Sequence, residues 1–110
     1  MFSDHYAIVI GLSSYPRLGP LPANLNGPER DADAVAAWLT HPNAGGLPPC
    51  NVKSIRSRDF NSPPDPAPTR DTIEQATFLW LDGLARQNLA NGKGRFVGTR
   101  LYFYASGHGF

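Results

Sequence analysis

The chain has 110 residues, 41% of them hydrophobic, with a formal net charge of +1 and acids and bases interspersed. That length allows one domain with a modest core, and the balanced charge gives no footprint for nucleic acid or an anionic membrane. The longest apolar runs, Tyr6 to Leu12 and Leu101 to Ala105, are far too short to span a bilayer, no secretory leader is read before Tyr6, and the single cysteine, Cys50, excludes an internal disulfide framework and suits a reducing cytoplasm.

Tyr6-Ala-Ile-Val-Ile-Gly-Leu12 is a near-continuous apolar run ending in glycine, which predicts a strand buried on both faces. A loop rich in Pro, Gly and Asn follows, from Ser13 to Gly27. A helix is expected next. Asn26 or Gly27 can cap it, Pro28 suits the first turn because its missing N–H needs no partner there, and Glu29 favours the positive end of the dipole. Ala32, Val35, Ala36 and Leu39 recur at helical spacing and give one apolar face, and His41-Pro42 with Gly45-Gly46 stops the helix. Asn51 to Arg58 predicts a second strand, in which Val52 and Ile55 do not alternate cleanly, a pattern that suits a sheet edge. The loop Asp59 to Pro68 holds four prolines and no periodicity. Thr69 then caps a long helix with Asp71 in its first turn, Ile73, Ala76, Trp80 and Leu84 on one side, and Asn91-Gly92 at its end. Gly83 inside it costs about 1 kcal/mol against Ala. The last strand runs from Thr99 to Ala105, with large residues on both faces as in the interior of a sheet.

Strand, helix, strand, helix, strand is the pattern of an α/β fold, a parallel sheet covered by helices on both faces. Active sites of such folds gather at the carboxyl ends of the strands. Three stretches belong there: Gly11 to Gly27, Asp59 to Pro68, and Ser106 to Phe110.

The last stretch, Ser106-Gly-His-Gly-Phe110, sets a histidine between two glycines. Its neighbours cannot bury the imidazole, and they let a substrate or other backbone approach closely. The N–H of Gly109 is sterically open and can donate to a developing oxyanion. A histidine base beside a backbone donor is half of an acyl-transfer site. The alternative use of His108 is to hold a neighbouring loop carbonyl.

Tyr102-Phe-Tyr-Ala-Ser-Gly-His-Gly109 resembles the "YFSGHG" segment of the caspase-like cysteine peptidases, the superfamily of caspases, metacaspases and many bacterial relatives. Three further segments resemble that family in the same order. Tyr6 to Pro16 is similar to its first strand and turn, Leu25-Asn-Gly-Pro-Glu-Arg-Asp-Ala32 to the metacaspase "L-x-G-x-x-x-D-A" at the first helix, and Pro68-Thr-Arg-Asp-Thr-Ile73 to the "A/P-T-x-x-x-I" at the second. The resemblance implies a three-layer caspase-like fold, with a mostly parallel sheet and helices on both faces, incomplete in this chain. Residues 1–110 are then the amino-terminal part of a peptidase domain.

In that family the histidine serves a cysteine nucleophile and the following backbone N–H helps bind the oxyanion, roles that fall here on His108 and Gly109. The cysteine lies roughly 50 residues downstream of the histidine, so the nucleophile is expected beyond Phe110, in the remainder of the catalytic domain. Cys50 does not replace it. It precedes the second strand, while His108 follows the third, and a strand of about seven residues separates the two rims by roughly 20 Å. Cys50 is expected to be a half-buried small residue.

Caspases that cleave after aspartate carry an arginine where this chain has Leu25, which cannot pair with a carboxylate. Metacaspases carry an aspartate at the position of Asp31, where it helps bind a basic residue. The resemblance therefore implies a protein or peptide substrate with Arg or Lys before the scissile bond. Asp31 also has a purely structural use, as an acid in the first turn of a helix. Asp33 has no role expected beyond solvation, and His5 and His41 have only structural ones.

Gly92-Lys-Gly-Arg-Phe-Val-Gly98 precedes a strand instead of following one, so it lacks the setting of a phosphate site and is expected to be a solvated loop. No histidine or carboxylate spacing suggests zinc, and no site for the calcium that some metacaspases need is found, so no cofactor is expected. Two functions are carried forward: a caspase-like cysteine endopeptidase, and a catalytically inactive caspase-like module for protein interaction. A nucleotide-binding α/β domain is disfavoured because no glycine-rich turn follows the first strand.

Overall fold

The computed structural model describes residues 3–12, 27–59 and 73–107. Its strands are β1 (His5–Gly11), β2 (Val52–Arg56) and β3 (Arg100–Ser106), and its helices are α1 (Gly27–Thr40) and α2 (Trp80–Ala90). A π-helical stretch, Gln75–Leu79, leads into α2, and short 3₁₀ turns, Pro49–Asn51 and Ser57–Asp59, flank β2. The three strands form one parallel sheet in the order β2-β1-β3.

The apolar run of β1 makes it the centre of the sheet. Ala7 and Val9 face α1 and pack with Ala32, Leu39 and Leu47. Ile8 and Ile10 face the other way and pack with Ile55, against Ile73, Ala76, Trp80 and Leu81 of the second helical segment. A strand flanked by helices on both faces has no polar side to show, which is why its sequence does not alternate. Ala32, Val35 and Leu39 of the expected α1 face pack on the sheet, and on the second helical segment Leu81 does so where the spacing pointed to Leu84. Tyr6 and Trp80 meet edge to face at 6.0 Å, closing the amino-terminal side of this layer.

The ends of the elements follow their local chemistry. After Thr40 the chain turns back, with Gly45 N–H donating to the Trp38 carbonyl and Gly46, at φ 71°, donating to that of His41. Gly92, at φ 75°, closes α2 through the Leu89 carbonyl, the left-handed position that glycine fills without steric cost. Thr69 and Asp71, expected to start the second helix, lie outside the described residues.

β2 is an edge strand, as its irregular pattern suggested, and is shorter than Asn51 to Arg58. What starts it is Asn51, buried in the preceding turn, whose Nδ2 donates to the carbonyls of Ser3 and His5 at 3.0 Å each. β3 carries the composition of an interior strand but occupies the other edge. Tyr102 and Tyr104 pack under α1, whereas on the opposite face Leu101 and Phe103 stay 46% and 66% exposed. The loop before β3 is mostly exposed, and its end is tied down: Asn88 Nδ2 donates to the Phe96 and Val97 carbonyls, and Thr99 bonds Asp4 through backbone N–H and hydroxyl.

Candidate functional site at the carboxyl rim

The carboxyl ends of the strands meet on one rim. In the register of the sheet Gly11 stands opposite both Arg56 and Ser106, and Leu12 N–H donates to the Ser106 carbonyl at 3.0 Å. α1 starts over this rim. Its first turn lies so close to β1 that a Cβ on Gly11 would stand 2.6 Å from the Pro28 carbonyl oxygen and 2.7 Å from the Ala32 Cβ. Only glycine permits that approach.

The contact also shows which way the helix is turned at this rim. Successive residues of an α-helix are turned by about 100°. Ala32 faces β1, and Asp33 reaches sideways to Arg56 on β2, Oδ1 to Nη1 at 3.1 Å. Asp31, one step the other way, is therefore turned toward the β3 side, and it is exposed. On that side Gly107 continues from β3 toward His108. His108 and Gly109 themselves lie outside the described residues, as does Leu25.

The solvated role expected for Asp33 is corrected by its bond to Arg56. Arg56 also binds Asp59 as a fork, Nε to Oδ2 and Nη2 to Oδ1, each 3.1 Å, while its backbone N–H donates to the same Oδ2 at 3.1 Å. The Asp59 hydrogen bond, and after it Asp33, raise the pKa of Arg56 above its already high ordinary value against the lowering effect of burial. The guanidinium therefore stays charged at every workable pH. A groove of about 620 Å³ lies beside these groups at the β2 edge, lined in part by Lys53, Ser54, Arg56 and Gln75. Nothing in the spacing of Asp33, Arg56 and Asp59 signals the cluster except the i, i+3 pair just after a strand; Asp33 joins only through the fold.

Cys50 sits in the turn before β2, at the amino ends of the strands and so on the opposite rim. It is exposed, which corrects the half-buried position expected of it. It is the middle residue of the Pro49–Asn51 turn, and its Sγ–H donates to Asn51 Oδ1 at 3.5 Å. His5 lies 4.0 Å from Asp4 at the start of β1, and His41 Nδ1 accepts the Asn43 N–H in the turn after α1. Among the described residues no three His, Cys, Asp or Glu side chains gather as a metal site would need, and no helix is long and apolar enough to cross a membrane. Comparison with protein-family models, curated proteins and solved structures finds no match to the chain.

Proposed function

We propose that the chain is the amino-terminal part of a caspase-like cysteine endopeptidase domain, with His108 as the base of a His–Cys dyad and the N–H of Gly109 as an oxyanion donor. The observation that carries this reading is the placement of Gly107, which leaves β3 at the carboxyl rim on the side toward which Asp31 is turned. Parallel α/β sheets put their chemistry at this rim, and His108 is the next residue of the sequence. Asp31 supplies an exposed carboxylate on the same side, suited to an Arg or Lys before the scissile bond.

In this mechanism His108 takes the thiol proton of a cysteine supplied beyond Phe110, and the thiolate attacks the scissile carbonyl carbon. Gly109 N–H stabilises the resulting oxyanion, and protonated His108 returns its proton to the leaving amine. Water then hydrolyses the acyl-enzyme by the same route in reverse. The test is hydrolysis of Arg- and Lys-containing fluorogenic peptides by the protein carrying the rest of the domain. Turnover abolished by His108→Ala supports the reading; turnover insensitive to it refutes it.

The second reading, an inactive module for protein interaction, is favoured by one observation. Cys50, the cysteine of residues 1–110, lies at the amino ends of the strands, on the rim opposite Gly107. Purified residues 1–110 are accordingly expected to hydrolyse no peptide.

A further inference from the structure

α1 is held to the sheet at the rim largely by small apolar surfaces, Ala32 on Gly11 with Val35 and Leu39 behind it. Such contacts favour closeness but resist rotation and sliding poorly, because dispersion and hydrophobic burial have no direction. A charged hydrogen bond does have direction. Arg56 presents a planar fork whose Nε and Nη2 are already fixed by Asp59, and whose backbone is fixed by pairing to β1. Its remaining arm, Nη1, therefore points one way, and Asp33 meets it at 3.1 Å. Bonding there sets the rotation of the first turns of α1 about the helix axis. Asp31 lies two positions before Asp33, about 200° around the helix, so the bond that pulls Asp33 toward β2 aims Asp31 toward β3.

We propose that Arg56 is a positioning residue for substrate specificity: by clamping Asp33 to Asp59 it holds the Asp31 carboxylate on the side of the rim where the chain continues to His108. This rests on the reading of Asp31 given above. Arg56 itself touches no substrate. Its two carboxylate partners are engaged by it, and Asp31 is the exposed acid of α1, open to a cationic side chain. Lysine does not replace it, since an ammonium lacks the fork that reaches both carboxylates in fixed geometry.

The experiment is steady-state kinetics on Arg and Lys peptides with the protein carrying the rest of the domain, comparing Arg56→Met, Arg56→Lys, Asp33→Asn and Asp31→Asn. Arg56→Met removes the bond to Asp33, and Asp33→Asn leaves it uncharged and weaker; both are expected to raise KM, the first about tenfold, with kcat within about twofold. Arg56→Lys should fall between them and the parent. Asp33→Asn is a half-exposed, isosteric change and keeps the test open if Arg56→Met does not fold. KM unchanged in both, while Asp31→Asn raises it, overturns the role of Arg56 and leaves that of Asp31. No effect from any of the four removes Asp31 from substrate binding and this proposal with it. A fall in kcat that tracks the melting temperature shows a merely structural clamp and also overturns it.

Discussion

Gly11→Ala is the substitution that tests how α1 is seated. The added Cβ would lie 2.6 Å from the Pro28 carbonyl oxygen and 2.7 Å from the Ala32 Cβ, where ordinary carbon contacts need about 3.5 Å or more. Neither neighbour is the tip of a flexible side chain, so the first turn of α1 must retreat by about 1 Å. A gap of that size forfeits roughly a quarter to a half of each dispersion contact it opens, here between Ala32, Val35 and Leu39 and the β1 residues Ala7 and Val9. Overpacking of this kind costs about 1–3 kcal/mol. At about 2 kcal/mol the melting temperature of a chain this size falls by roughly 8–16 °C. Ala32→Gly alone should cost about 1 kcal/mol in helix propensity. In the double variant the Ala32 Cβ no longer opposes the new methyl, although the Pro28 carbonyl still does. The double variant should therefore be less destabilised than the sum of the two, by about 0.5 kcal/mol or more. Urea unfolding followed by tryptophan fluorescence, at low protein concentration, measures all four corners of the cycle. A neutral Gly11→Ala, or strictly additive effects, would refute this seating of the helix.

Asn51→Ala removes both side-chain bonds to the Ser3 and His5 carbonyls and should cost about 1–3 kcal/mol in urea unfolding; a change under about 0.5 kcal/mol would mean that water replaces them. Gly83→Ala should stabilise by about 1 kcal/mol, because a Cβ there meets nothing within 4 Å; a loss of stability would show that this face of α2 is covered. Phe103 is 66% exposed on an edge strand, and residues 1–110 are expected to self-associate through it. Phe103→Lys should reduce that association in light scattering, since an edge lysine opposes strand pairing, and it should leave the melting temperature within a few degrees. A parent chain that stays monomeric across concentration would contradict this.

The apolar runs and helical spacings show the layers because burial acts on every residue of them. Ala7 to Ile10 face helices on both sides, so β1 is apolar throughout, and Ala32, Val35 and Leu39 mark the inner face of α1 for the same reason. The edge position of β2 was readable from its broken alternation. β3 combines the composition of an interior strand with an edge position, and Leu101 and Phe103 on its uncovered face are exposed. The polar ties were illegible. Asn51 bonds residues more than 45 positions away in sequence, and Asp33 meets Arg56 across 23. No local pattern encodes such partners; they exist only once α1 has packed on the sheet. Of the proposed site, the sequence supplies the residue types and their order. The sideways turn of Asp31 follows from the structure, through Ala32 on one side and Arg56 on the other.

The dyad is tested most directly by trapping its nucleophile. A peptide with a carboxyl-terminal arginine and a thiol-reactive ketone in place of the scissile bond is incubated with the protein carrying the rest of the domain. The modified residue is then located by mass spectrometry. Modification is expected on a single cysteine beyond Phe110, faster than with the corresponding aspartyl peptide, and suppressed in His108→Ala. Label on Cys50, or labelling indifferent to His108, would contradict a His–Cys peptidase built on this rim.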